Sequence, residues 1–410
     1  MKKYRRLNAI EASMASTHAL LGGTTQVVSL LSFRGSFDQQ RLISSFERLF
    51  TAHEILRLSI VEDENSFEFR GEVDFPRVER MLEATSEIPT VERLLEKELN
   101  SIIDPKIGLW RYRIITDSHR GLSHLLFTRH HAISDGYTTL RLMRDLLAYY
   151  STGTPIAPEL LSIGADKRIR SCRRAPFLQK AAGNQRIQPS RFPFAEFVPI
   201  HLRSTRVESR KISGVTLAEL SASAKVRGQT LNSQLVAIFA RAVGEEAALD
   251  VVNVFTAVSL RKQPYSETQV SDLGCFITVS DVAIELSSLE CIAQRYGKSI
   301  SKHRDTFVPS FREHADIRAS VKSRSSSSEF QGIAVTNVGS ADQIQEASAL
   351  EIVDYRSVAN RNGGLFAMAL HLSFLRGELT ISLTYPTLIL ADGMAERVLN
   401  KMVAYMETIQ

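Results

Sequence analysis

The sequence predicts an α/β protein with α+β character, built as two halves of similar layout. Two observations carry this. Strand-like and helix-like segments alternate twice in the same layout, and a stretch of different composition separates the two runs. The chain has 410 residues, 44% apolar and 23% charged, the balance of a globular protein with chain enough for two or three cores.

The first run begins at residues 26–34, rich in Val, Leu and Phe and ending at Gly35, which predicts a strand entering a turn. Asp38 is a predicted N-cap, and Leu42, Phe46, Leu49, Phe50 and His53 recur at helical spacing. Residues 55–61 and 66–74 read as short strands around a turn at 62–65, and 89–99 as an amphipathic helix. A strand pair at 109–115 and 122–129 leads into HHAISDG, after which Leu140, Met143, Leu146, Leu147 and Tyr150 predict a helix over 136–150. The predicted N-terminal subdomain is therefore 1–150.

Residues 151–204 gather prolines beside the basic run DKRIRSCRRAP (166–176) and read as a connector whose charges are solvated. The second run, 205–410, opens with a strand RVESRKIS, then a helix capped by Thr216 through Ala224, then one started by Thr230 to about Val243. Strands follow at 251–259 and 274–285 and a helix at 288–305. The Ser-rich 323–328 is expected to be a mobile loop. Strands at 331–336, 366–375 and 378–385 and a helix over 391–407 complete it.

Charge and cysteine content exclude several classes. The net charge of +5 is too small for a nucleic-acid footprint, and it suits an acidic or phosphorylated partner. Cys172, Cys275 and Cys291 are far apart with no CxxC pair, so neither a disulfide framework nor a zinc knuckle is expected, and a reducing cytoplasm fits. The basic N-terminus is interrupted by Glu11 and His18, against a signal peptide, and no run of eighteen apolar residues predicts a transmembrane segment.

One constellation points to chemistry: His130, His131, Asp135 and Gly136, where a strand ends and a helix begins. Adjacent side chains on an extended segment point to opposite sides, so one imidazole faces a given cavity and the other supports it. An imidazole with an ordinary pKa of about 6.5 suits a general base that activates a hydroxyl or amine. Asp135 either orients an imidazole or holds the loop through a distant Arg, and Gly136 permits a tight bend. A zinc site, a pair of core histidines and plain Asp-Gly turn chemistry are the competing readings; adjacent His are poorly placed to share one metal.

HHAISDG resembles the HHxxxDG signature of the chloramphenicol-acetyltransferase-like superfamily, which includes condensation domains and polyketide-associated acyltransferases. The likeness extends along the chain. RRLNAIEASMA and GSFDQQRLISSFERLFTAHEILRLSI look like the family's opening segments; TLAELSASAKVRGQTLNSQLVAIFARAV, AVSLRKQ, DLGCFITV and VTNVGS are similar to successive parts of its second subdomain.

The resemblance implies two similar chloramphenicol-acetyltransferase-like subdomains, each a mixed sheet flanked by helices, facing each other across a tunnel with the motif loop near its midpoint. The implied function is transfer of an acyl group from acyl-CoA or an acyl carrier protein to a small-molecule alcohol or amine. The co-substrate is a phosphopantetheinyl thioester, with no permanently bound cofactor, no metal and no nucleic-acid partner. His131 is the implied catalytic base and His130 its support, with Asp135 ion-paired to Arg261. Asn337 and Gly339 match a tunnel-lining segment, and Phe276 and Thr278 are candidates for the acyl pocket. Two alternatives remain: a free-standing condensation enzyme that forms an amide, and a non-catalytic scaffold that docks carrier proteins.

Overall fold

The computed structural model describes residues 3–63, 66–76, 79–80, 90–162, 164, 191–261, 269, 272–307 and 312–408. The N-terminal half opens with β1 (Lys3–Arg6), α1 (Ala9–Leu20), β2 (Val27–Arg34) and α2 (Gln39–Ala52). Next come β3 (Ser59–Asp63), β4 (Ser66–Arg70), β5 (Glu79–Arg80) and α3 (Val91–Asn100). It closes with β6 (Trp110–Asp117), β7 (Leu122–Arg129) and α4 (Gly136–Thr152).

The second half starts with β8 (Phe192–Pro193), β9 (Thr205–Ile212), α5 (Gly214–Val226) and α6 (Leu231–Ala247). It continues through β10 (Val251–Ser259), β11 (Ile277–Glu285), α7 (Leu289–Thr306) and α8 (His314–Lys322). The last elements are β12 (Glu329–Phe330), β13 (Gly332–Ser340), α9 (Asp342–Glu346), β14 (Ile352–Ala359), β15 (Phe366–Leu375), β16 (Glu378–Pro386) and α10 (Met394–Thr408).

Two mixed sheets dominate. The first has the order β14-β2-β7-β6-β5 and the second β11-β10-β13-β15-β16-β9. In the second, β13 runs parallel to both β10 and β15 while the outer pairs are antiparallel. The sheets do not respect the expected boundary: β14, from the C-terminal half, pairs antiparallel with β2 across residues 352–359. The main core of the N-terminal half likewise takes in Leu273, Ile317, Ile344 and Tyr355.

β2 is buried along all but its last residue, because it lies between β14 and β7 and is covered on both faces. Its two serines are satisfied locally: Ser29 bonds Ser357 at 3.0 Å, and Ser32 lies 2.8 Å from His124 Nδ1. α3 seals the outer edge of the second sheet. The Asn100 side chain exchanges hydrogen bonds with the main chain of Thr205, and Glu96 accepts from Val207 N.

Several local expectations shift. Residues 54–57 are a single 3₁₀ turn, so the strand predicted from 55 begins at Ser59. Its partner ends at Arg70 rather than 74, and the strand expected from 274 starts at Ile277. Thr216 is not a cap: Ser213 Oγ accepts from Thr216 N one turn earlier. The expected Ser-rich loop is a helix end plus a 3₁₀ turn over Ser323–Ser326, tied by Ser Oγ bonds to main-chain carbonyls three residues back. The basic cluster 166–176, with Cys172, lies outside the described residues.

Candidate functional site

The site is assembled where β7 ends. Asp135 is the N-cap of α4, its Oδ1 accepting from Thr138 N at 3.0 Å, and the helix ends at Gly153 in the left-handed region (φ +72°). His130 and His131 stand just before this helix: His130 is extended and caps a 3₁₀ turn over His131–Ile133.

His130 faces inward and is fully buried. Its Nδ1 accepts from Ala132 N at 3.1 Å, and its ring lies 4.6 Å from that of His18 on α1, which in turn bonds the Ile103 carbonyl. Burial holds its pKa well below the usual value, and the neighbouring His18 and His131 push the same way. His130 is thus a neutral packing element that sets the direction of the residue after it.

His131 is half-buried and lines a cavity of about 1180 Å³ of empty space, open mouth included, between the two halves. α1 and the β7–α4 loop supply one wall of this cavity; β10, β11, β13 and β15 supply much of the other. Nδ1 of the ring lies 3.6 Å from Cys275 Sγ. With the ring proton on Nδ1, Nε2 keeps a free lone pair that faces an incoming acceptor's proton. Burial lowers the His131 pKa to about 4, and the guanidinium groups of Arg129 and Arg361 reinforce the shift. At neutral pH the imidazole is therefore uncharged and able to accept a proton.

Asp135 does not orient that ring. Its Oδ2 accepts from Phe276 N at 2.9 Å and from Arg261 Nη1, and both side chains of this ion pair are essentially inaccessible. Arg261 also donates from Nη2 to Thr138 Oγ1 at 3.0 Å and to the Asp272 carbonyl at 2.9 Å. Thr138 Oγ1 in turn bonds the main chain of Gly274. The network clamps the start of α4 to the 272–276 segment, so the motif loop of one half is fixed by the other.

Gly136 serves close approach rather than a tight bend. Its φ lies outside the left-handed region, but a Cβ there would meet Val338 of β13 at 3.1 to 3.3 Å.

The expected pocket residues on β11 are corrected by one position. Ile277 and Val279 line the cavity; Phe276 and Thr278 do not. Alternation along the strand turns Thr278 to the other face. Phe276 instead packs on Leu260, its ring 4.6 Å below the Arg261 guanidinium. Asn337 and Gly339 line a second cavity of about 2010 Å³, which shares Ala257, Val335 and Val338 with the first. Asn337 Oδ1 accepts from Gly339 N at 2.9 Å, closing a local turn with Gly339 at φ +85°.

Sequence reasoning missed Cys275 as the neighbour of His131, and it missed Arg129 and Arg361 on the cavity wall. A signal existed for Arg129, which immediately precedes the doublet; Arg361 is brought in only by tertiary pairing of β14.

The family model of the condensation domain matches residues 24–159. No curated protein sequence matches the chain. Among solved structures, the first condensation domain of the calcium-dependent antibiotic synthetase, in complex with a substrate analogue, is 13% identical with TM-score 0.73, covering 100% of this chain and 97% of that one. Polyketide synthase associated protein 5 from Mycobacterium tuberculosis is 13% identical with TM-score 0.69, covering 100% and 98%. The epimerization domain from the third module of tyrocidine synthetase B is 16% identical with TM-score 0.64, covering 94% and 91%. The resemblance read from HHAISDG thus rests on a sequence match over the motif-bearing half and on a shared fold over the whole chain.

Proposed function

Starting from the condensation-domain fold, we propose that the chain is an acyltransferase of natural-product or lipid biosynthesis. It moves an acyl group from a CoA or carrier-protein thioester to a hydroxyl or amine. The observation that carries this reading is the His131 imidazole, held from its Nδ1 side at the wall of a cavity built by both halves.

In the proposed reaction His131 Nε2 takes the proton of the acceptor O–H or N–H as that atom attacks the thioester carbonyl. The tetrahedral intermediate collapses with cleavage of the C–S bond. The imidazolium returns its proton to the departing thiolate, so ester or amide and free thiol leave and the base is restored. No acyl-enzyme is required. Cys275 is no competing nucleophile, because burial raises its thiol pKa well above the ordinary range and Asp135 adds to the shift. The clamp of Asp135 and Arg261 holds the loop that presents the base.

The test is incubation of the purified protein with acyl-pantetheine thioesters and paired alcohol and amine acceptors, followed by mass analysis. Product formed by the wild type and lost with His131→Ala supports transfer, and the acceptor consumed separates ester from amide formation. Turnover unchanged by that substitution overturns the role of His131. Carrier-protein binding without turnover of any pair favours a docking scaffold.

A further inference from the structure

The wall of the central cavity carries guanidinium groups that no carboxylate of the described residues hydrogen-bonds. Arg129, at the end of β7 beside the His doublet, donates from Nε to Ser134 Oγ at 3.1 Å and from Nη1 to Ser29 Oγ at 3.0 Å. These acceptors are uncharged. Its Nη2 has no hydrogen bond to any described residue, although the side chain is almost wholly buried. Arg361, just beyond β14, is half-buried in the same wall with its guanidinium 5.5 Å from the ring centre of Phe366. No N–H of that guanidinium finds an acceptor among the described residues, and Nε is sealed from solvent. Arg324, from the 323–326 turn, lines the cavity too.

Among the described residues, the only carboxylate on this wall is Asp135, and its oxygens are already engaged by Thr138, Phe276 and Arg261. A buried guanidinium without a counter-charge is costly, so natural structures keep one where something else supplies the charge. Burial lowers the pKa of both Arg129 and Arg361 to about 10, which leaves them charged at neutral pH. Both also act electrostatically on His131, so the missing anion belongs next to the reacting centre.

We propose that one of the two substrates bound beside His131 carries a free carboxylate, held by Arg361 and the open edge of Arg129. The planar guanidinium fork matches a carboxylate in two parallel hydrogen bonds. The carboxylate belongs either to the far end of the acyl chain, making the donor a dicarboxylic monothioester, or to the acceptor, making it a hydroxy or amino acid. Assigning the ligand as a substrate rests on the transfer reading; the oxyanion site itself does not.

Calorimetric titration with glutarate and with glutaramide tests the site without any turnover. Glutarate is expected to bind and the neutral diamide not. Arg361→Gln is expected to weaken glutarate binding by roughly 10- to 100-fold, the loss of a charged hydrogen-bond pair, with Arg361→Lys recovering part of it. The melting temperature of Arg361→Gln should fall little, since only the contact with the Phe366 ring is lost and no hydrogen bond or ion pair among the described residues. Equal binding of both probes, or unchanged glutarate affinity in Arg361→Gln, overturns the proposal.

Two transfer arms then locate the group: succinyl against succinamoyl pantetheine thioesters, and 3-hydroxybutyrate against 3-hydroxybutyramide as acceptor. A preference for the acid in one arm, lost in Arg361→Gln, assigns it. Neutral pairs transferred as well as acidic ones overturn the carboxylate proposal and leave the transferase standing. Arg361-dependent glutarate binding with no transfer from any pair defeats the transferase and leaves the site.

Discussion

Two buried charged regions flank the same loop and differ in one respect. Around Asp135 and Arg261 nearly every donor meets an acceptor and the charges cancel. Around Arg129 and Arg361 donors are left over and, among the described residues, no carboxylate is hydrogen-bonded to either guanidinium; Asp135 acts on Arg129 only through its field. The saturated region behaves as scaffold, because both carboxylate oxygens and both Nη groups are engaged and the one orphan donor, Arg261 Nε, is sealed from solvent. The unsaturated one behaves as a receptor. Burial alone does not tell the two apart; the accounting of partners does.

The sharpest way to break the contrast is at His131, which belongs to neither region but is held by one and biased by the other. His131→Ala is expected to lower kcat by about 100- to 10,000-fold with the urea midpoint unchanged, as steady-state assay and denaturation of the same preparation would reveal. Arg261→Met comes next and acts through stability. It strands the Asp135 carboxylate in the interior and should cost about 3–5 kcal/mol, measured as a lowered urea midpoint. If Arg261→Met and Arg361→Gln destabilise alike, the division into scaffold and receptor is wrong.

Smaller effects probe the wall. Ile277→Trp narrows the cavity and should raise KM about tenfold or more, whereas Thr278→Ser, on the opposite face of the same strand, should leave KM within error. Equal responses would reject the assigned strand parity. The weakest signal is in pH. Because the His131 pKa is lowered to about 4, kcat/KM for an alcohol acceptor should stay flat between pH 8 and about 6, instead of falling through the ordinary imidazole pKa near 6.5. Stability carries the same sign. His53 and His131 are lowered to about 4 and His371 to about 3. The unfolded chain therefore binds more protons than the folded one between these values and about 6.5, and the protein should lose stability as pH falls through that window.

Features set by neighbouring residues were legible in the sequence. Caps at Asp38 and Thr230, the strands before and after them, and the HHAISDG loop all depend on local chemistry. The Asn8–Glu11 capping box at the start of α1 was equally readable and was overlooked. What local pattern could not supply was long-range pairing. β14 looks like any half-apolar strand until it is placed against β2, and that placement is what carries Arg361 towards the cavity. The parity of β11 was ambiguous for a related reason. Its buried face carries Thr278 and Ser280 while its more open face carries Ile277 and Val279, so hydrophobicity does not say which face looks onto the cavity.

The seating of β14 beside β2 has an outcome for how the molecule comes into being. Until residue 359 has emerged from the ribosome, the first sheet is short of its border strand and β2 offers bare amide and carbonyl groups to any passing chain. A fragment cut within the connector inherits that defect permanently, so neither half is a module that can be lifted out and expressed by itself. Attempts to swap lobes between relatives should carry the 352–359 ribbon together with the sheet it completes.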